Sequence, residues 1–166
     1  MFKIVPLGGT GVALGTALDP FTLDEVYEVM AEIGLRRRPG LWLDMPQIVD
    51  LRGVYATMPK ATDIGNYMMR RRALGDAPVT NPIAFVGDRL DTQSTARIFN
   101  TLCALSGLRP EDRTEVCDTP DGAAAWMAGR LAPDGPTEAE ILEALTHTGE
   151  AGIIAQQTPH ADQGTG

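Results

Sequence analysis

Hydrophobic and polar positions along the chain change period several times, and each change marks an element. Phe2 to Leu7 and Val12 to Leu18 read as two strands joined by Gly8-Gly9-Thr10-Gly11, an antiparallel hairpin that Asp19-Pro20 closes. Thr22 then offers a helix N-cap with Glu25 downstream as its capping-box partner, and Leu23, Val26, Tyr27, Met30 and Ile33 recur at helical spacing up to Gly34. The next strand is centred on Ile48-Val49-Asp50-Leu51, because Pro46 makes Trp42-Leu43 a poor continuation; Leu41 to Leu43 is expected to pack beneath as a lead-in. Thr62 as N-cap and Asp63 open a second helix with Ile64, Tyr67, Met68 and Leu74 along one stripe, ended by Gly75.

Ile83-Ala84-Phe85-Val86 is a short, wholly apolar run stopped by Gly87-Asp88, the pattern of a buried parallel strand. A third helix from about Thr92 to Ser106 turns Ala96, Phe99, Leu102, Cys103 and Leu105 inward and ends at Gly107. Thr114 to Cys117 is the last strand, and Thr119-Pro120 caps a fourth helix through Leu131. Strands alternating with helices predict an α/β fold with a mixed, mostly parallel sheet of about four to five strands. Phe85, Val86, Phe99 and Trp126 are expected to share one hydrophobic cluster. Residues 1–132 form the domain, and 133–149 a linker and short helical extension using Ile141, Leu142 and Leu145. Residues 150–166, rich in Gly, Gln and Thr, are expected to form a mobile tail.

Composition narrows the class. With 43% hydrophobic residues over 166 positions, the chain has enough apolar surface for one core that needs no staples. No apolar run approaches the roughly 18–20 residues of a spanning helix, and Met1-Phe2-Lys3-Ile4 lacks the form of a signal peptide. Cys103 and Cys117 make neither a disulfide framework nor a zinc set. Together these predict a cytoplasmic protein without membrane insertion. The net charge of −8 and a pI near 4.7 exclude nucleic acid as a whole-surface partner, because the long-range field repels it.

Catalytic material is sparse. Gly8-Gly9-Thr10-Gly11 opens like a dinucleotide-binding loop, but Leu14 stands where a glycine or alanine is required and Val12 to Leu18 reads as a strand. Both histidines, His147 and His160, fall in the C-terminal extension, and both cysteines sit in apolar patterns that suit buried, inert thiols. Asp44, Asp50, Asp88 and Asp118 fall near strand ends, where they cap turns. No enzyme, cofactor or metal is expected.

Cationic charge is concentrated instead. Six of the 14 basic residues form two triplets, Arg36-Arg37-Arg38 and Arg70-Arg71-Arg72. Each lies where a helix returns the chain to a parallel strand, so both are expected at the edge where those strands start, as partner or anion-binding candidates.

The stretch Ile48-Val49-Asp50-Leu51-Arg52-Gly53-Val54, then Thr62-Asp63-Ile64, Arg71-Arg72, Ile83-Ala84-Phe85-Val86, Ala96-Arg97-Ile98-Phe99 and Ala123-Ala124-Ala125-Trp126-Met127, forms an ordered pattern over roughly residues 2–132. It resembles the STAS-like (SpoIIAA-like) family of small bacterial domains. That resemblance implies a mixed, mostly parallel sheet with helices packed on one face, and a non-catalytic interaction or regulatory domain. Its well-understood members are anti-sigma-factor antagonists switched by phosphorylation in an Asp-Ser-Ser/Thr-Gly loop. This chain has Ala56-Thr57-Met58-Pro59-Lys60-Ala61-Thr62 there, which leaves Thr57 and Thr62 as the phosphoacceptor candidates. The first functional reading is therefore recognition of a protein partner, with self-association as a further mode. The alternative is a small binding module for an apolar, lipid-like ligand or an anionic one, seated in the gap between helices and sheet or on the arginine edge.

Overall fold

Five strands form one sheet in the order in which the chain visits them: β1 (Phe2–Leu7), β2 (Val12–Leu18), β3 (Gln47–Gly53), β4 (Ile83–Val86) and β5 (Thr114–Cys117). The structure, a computed structural model, describes residues 1–36, 40–56, 58–73 and 80–156. β1 and β2 are antiparallel, with Leu7 opposite Val12, and β2 to β5 are parallel throughout. Gly9 and Gly11 take φ of 74° and 69° in the hairpin turn, a region that disfavours side chains with a Cβ. Between them the buried Thr10 hydroxyl donates to the Leu7 carbonyl at 2.9 Å and accepts from the Val12 amide at 3.1 Å. The glycine run is thus a hairpin turn, as its strand-like flanks predict.

The helices are α1 (Leu23–Arg36), α2 (Ala61–Arg72), α3 (Leu90–Leu105), α4 (Pro120–Ala128) and α5 (Glu138–Gln156). Thr22 Oγ1 accepts from the Glu25 amide at 3.3 Å, and Thr119 Oγ1 accepts from Gly122 at 3.1 Å with Pro120 opening α4. α2 starts two positions earlier than the Thr62 cap implied, with Lys60 as its N-cap. Its first free amide, that of Lys60, donates to the Asp63 carboxylate at 2.9 Å, and Thr62 is an exposed first-turn residue. α3 ends in a Schellman turn: Gly107 at φ 68° lets Leu108 N–H reach the Cys103 carbonyl at 3.0 Å and Gly107 N–H reach Ala104 at 3.1 Å.

Because each parallel strand lies beside its predecessor, right-handed crossovers place α1, α2 and α3 on the same face of the sheet. There Phe2, Ile4, Ala13, Ala17, Val49, Leu51, Ile83 and Phe85 pack under Met30, Ile33 and Ala96. After β5 the chain turns back across the other face. α4 and α5 bury Leu7, Val12, Leu14, Ile48, Ala84 and Val86 beneath Ala123, Ala124, Met127 and Ile141. Helices therefore cover both faces, which corrects the expectation of one. The cause is the period of two along a strand: Phe85 and Val86 are adjacent and so point to opposite sides. Phe99 joins Phe85, with ring centroids 5.4 Å apart and edge to face, whereas Trp126 packs with Val86 across the sheet from them. The expected four-residue cluster is two clusters. Leu105, placed inward by the sequence pattern, is exposed. α4 stops at Ala128 rather than Leu131, while α5 runs past residue 149 to Gln156 with Ile141 fully buried. Residues 157–166 lie outside the described residues.

Candidate functional site

The helix-covered face does not close completely. Between α1, α2, α3 and the sheet lies an apolar cavity of about 70 Å³, whose floor is Val49, Leu51, Ile83 and Phe85 and whose roof includes Val26, Met30, Ile64, Ala96 and Phe99. Phe21, Leu23, Met58 and Pro59 line its other end. Gln47, Val49 and Leu51 share the inward face of β3, so the cavity follows that strand for about 13 Å at ~3.3 Å per residue. Bulky residues leave the space because α2 and α3 are held apart by the Tyr67 and Phe99 rings, 5.9 Å between centroids.

At the strand-start end the lining becomes polar. A second pocket of about 30 Å³ shares Met30, Gln47, Tyr67, Ile83 and Phe99 with the first and adds Arg71, Cys103, Leu108 and Arg109. Here the arginine triplet of α2 divides. Arg70 turns outward, its guanidinium 3.9 Å from the Tyr27 ring centre and paired with Asp24 of α1. Arg72 donates to the Ser106 carbonyl at 3.1 Å and ties α2 to the end of α3. Arg71 turns inward and is only 6% exposed. Its nearest carboxylate is the largely exposed Asp44, 4.0 Å away, and among the described residues its guanidinium makes no hydrogen bond. Arg37, Arg38 and the side chain of Arg36 lie outside the described residues, as does Thr57.

Arg109, which sequence reasoning did not single out, is 8% exposed and faces the same pocket. One of its nitrogens donates to both the carbonyl and the side-chain oxygen of the buried Asn81, and Asn81 in turn donates to the Met45 carbonyl at 2.5 Å. Burial, with the Arg71 charge adding to it, pushes the Arg109 guanidinium down to about 10, so it stays cationic at neutral pH. Burial also raises the Tyr67 phenol, against the opposing pull of Arg71. Gln47, 5% exposed, has an amide with no hydrogen-bond partner among the described residues, and the Tyr67 hydroxyl likewise has none. Gln47 was legible in principle: it lies in register with Val49 and Leu51 on the inward side of a strand, where a polar residue is the exception.

Other candidates resolve differently. The hairpin turn borders an open groove lined by Asp134, Glu140 and Glu143, a poor seat for phosphate. Asp50 accepts a bidentate bond from Arg52 at 3.0 and 2.7 Å, and Asp118 accepts from Gln93 at 2.8 Å, both at the edge where strands end. Asp44 is at the opposite edge, before β3. Burial pushes the Cys103 thiol up to about 12 and the Cys117 thiol up to about 11, so both are protonated at neutral pH. Among the described residues no three His, Cys, Asp or Glu side chains are grouped to hold a metal ion, and no helix is long and apolar enough to cross a membrane.

Comparison with protein-family models finds no match to this chain, and comparisons with curated proteins and with solved structures find none either. The STAS-like resemblance therefore rests on the order of its sequence motifs, and the structure establishes an α/β protein with a five-stranded, mostly parallel sheet.

Proposed function

We propose that this protein is a non-catalytic binding module that takes a small apolar ligand in the gap between α1–α3 and the sheet. The observation that carries the reading is the cavity along β3, apolar on nearly every side, with the half-buried Phe21, Leu23, Met58 and Pro59 among its lining. At about 70 Å³ it is roughly half the size of an engineered cavity of about 150 Å³ that holds benzene, so a ligand must widen it. Met30 and Met58, unbranched and adaptable, are the lining residues suited to give way. A non-catalytic role is supported by the chemistry at hand. The two cysteines are free thiols held protonated, and His147 is exposed on α5, 3.7 Å from Glu143 and remote from the cavity. As part of this reading the protein works in the cytoplasm, where such thiols persist.

Titration with primary alcohols of increasing chain length, followed by methyl-resolved NMR, tests it. Saturable shifts at Ile64, Ile83 and Ala96 are expected, with affinity rising about fourfold per methylene, from about 0.8 kcal/mol each. Absence of saturation, or shifts confined to surface methyls, overturns the reading.

A second reading, recognition of a protein partner, is favoured by α3. Leu90, Ile98 and Leu105 lie along one outward stripe of this helix, and Leu90 and Leu105 are 76% and 80% exposed. The stripe is nearly symmetric about its middle: in an antiparallel pairing of two copies, Leu90 meets Leu105 and Ile98 sits at the two-fold axis. Sedimentation across a concentration series tests this; a monomer at every concentration, with no change in Ile98→Glu, removes self-association.

A further inference from the structure

We infer that the ligand of the cavity is an amphiphilic carboxylate, its apolar body lying along β3 and its carboxylate held at the strand-start end by Arg71, with Arg109, Tyr67 and Gln47 around it. The inference rests on the apolar-ligand reading above and assigns the chemistry of the ligand's head.

Two guanidinium groups are buried here within electrostatic reach of one another, and among the described residues the carboxylate acting on them is Asp44, exposed and 4.0 Å from Arg71. Removing a cation from water costs several kcal/mol unless an anion and hydrogen bonds replace the lost hydration. Arg109 is partly compensated by Asn81. Arg71 has only the long ion pair with the exposed Asp44, and among the described residues its forked donors make no hydrogen bond.

The surrounding donors point the same way. Gln47 and Tyr67 line both pockets, and among the described residues neither the amide nor the hydroxyl has a hydrogen-bond partner. These two groups and the Arg71 guanidinium face the accessible space of the pocket and are not sealed within protein, so their donors are available together to one acceptor that enters it. Being shared by both pockets, these two residues stand where an apolar tail would join a polar head. The polar pocket is the smaller of the two, about 30 Å³ against about 70 Å³, so it takes a compact head with two oxygens, a carboxylate, and leaves the apolar body to the larger cavity. Two parallel N–H donors of an arginine match those two oxygens. The protein's overall charge of −8 makes this enclosed positive end the exception in its field, so an anion that enters is held by local contacts rather than by attraction from afar.

The test compares octanoate, octanol and octylamine by calorimetry against the full chain, its Arg71→Gln and Arg71→Lys variants, and Gln47→Leu. Octanoate is expected to bind at least about tenfold more tightly than octanol, with octylamine weakest. Arg71→Gln should lose at least about tenfold for octanoate while octanol stays within about twofold; Arg71→Lys, which keeps the charge but not the fork, should fall between. Gln47→Leu, which removes an unpaired amide, should fold and weaken octanoate selectively. Equal binding of octanoate and octanol overturns the carboxylate inference and leaves the apolar-ligand reading standing. Saturable binding of none of the three overturns both. An octanoate preference that persists in Arg71→Gln and in Gln47→Leu overturns the assignment of the head to this end of the cavity. Should Arg71→Gln fail to fold, Arg71→Lys and Gln47→Leu carry the same decision.

Discussion

Phe99 and Trp126 offer the sharpest test of the two-sided architecture. In the structure Phe99 touches Phe85 edge to face at 5.4 Å and Tyr67 at 5.9 Å, whereas Trp126 packs on the far face, its ring 5.4 Å from the Arg130 guanidinium. Truncating a fully buried aromatic to alanine costs about 3–5 kcal/mol, enough to consume much of a typical domain's stability. Leucine is the better probe. Each of Phe85→Leu, Phe99→Leu and Trp126→Leu is expected to cost about 1–2 kcal/mol, the lower figure applying to the half-buried Phe99 and Trp126. Ring pairs contribute about 0.5–1.5 kcal/mol beyond the area they bury, so the Phe85–Phe99 double variant should show a coupling of that size. The Phe99–Trp126 pair, packed in separate clusters on opposite faces of the sheet, should be additive to within about 0.5 kcal/mol. Urea unfolding with a constant dependence on denaturant measures both cycles. A coupling near about 1 kcal/mol between Phe99 and Trp126, or none between Phe85 and Phe99, would refute the separation of the two cores.

Ala96→Val places two methyl groups into the cavity. At about 0.8 kcal/mol each, less about 0.5 for a β-branched residue in a helix, it should stabilise by about 1 kcal/mol and weaken octanol binding, read as a rise in Tm and a loss of affinity. Folded Cys103 and Cys117 resist ionisation up to about 12 and about 11 against an ordinary 9.0, so the stability they hold below pH 9.0 drains away as pH rises through those values. Arg109, depressed to about 10, acts in the opposite sense only above that pH; urea midpoints should therefore fall from pH 9.0 to about 10, and less steeply in Cys103→Ala. Ending the chain after Gly135 removes Ile141, Leu142 and Leu145 from the second core and should abolish cooperative melting. Ending it after Thr148 should cost less than about 1 kcal/mol by the same measurement.

Strands announced themselves because their period is short and their turns are chemically marked. The bounds of β1, β2, β4 and β5 coincide with those read from Gly8-Gly9, Asp19-Pro20, Gly87-Asp88 and Asp118-Thr119. The second helical layer was legible too, in the unbroken run Ile83-Ala84-Phe85-Val86: a strand apolar on both faces needs cover on both. Helix ends were read less well, since Lys60 and Ala128 carry no cap signal of their own. The site was half visible. Arg71 stood out as a member of a triplet, but nothing in the local pattern separates it from its neighbours, which serve α1 and α3 instead. Arg109 lies in a charged loop whose sequence reads as solvent-facing, and only the Schellman turn at Gly107 directs it inward beside Asn81. Long-range placement of this kind has no local signature.

The strand order bears on how the protein comes into being on the ribosome. Each strand from β2 onward docks on the one synthesised just before it, so the sheet and its first helical layer can assemble in step with translation. The opposite face has no such schedule. Leu14, Ile48, Ala84 and Val86 stay uncovered until α4 and then Ile141 have left the exit tunnel, near the end of the described chain. For most of synthesis the nascent chain thus carries a growing apolar plane. A ribosome that stalls in the turn around Asp134 would expose that plane longest, and it is there that a chaperone would be needed.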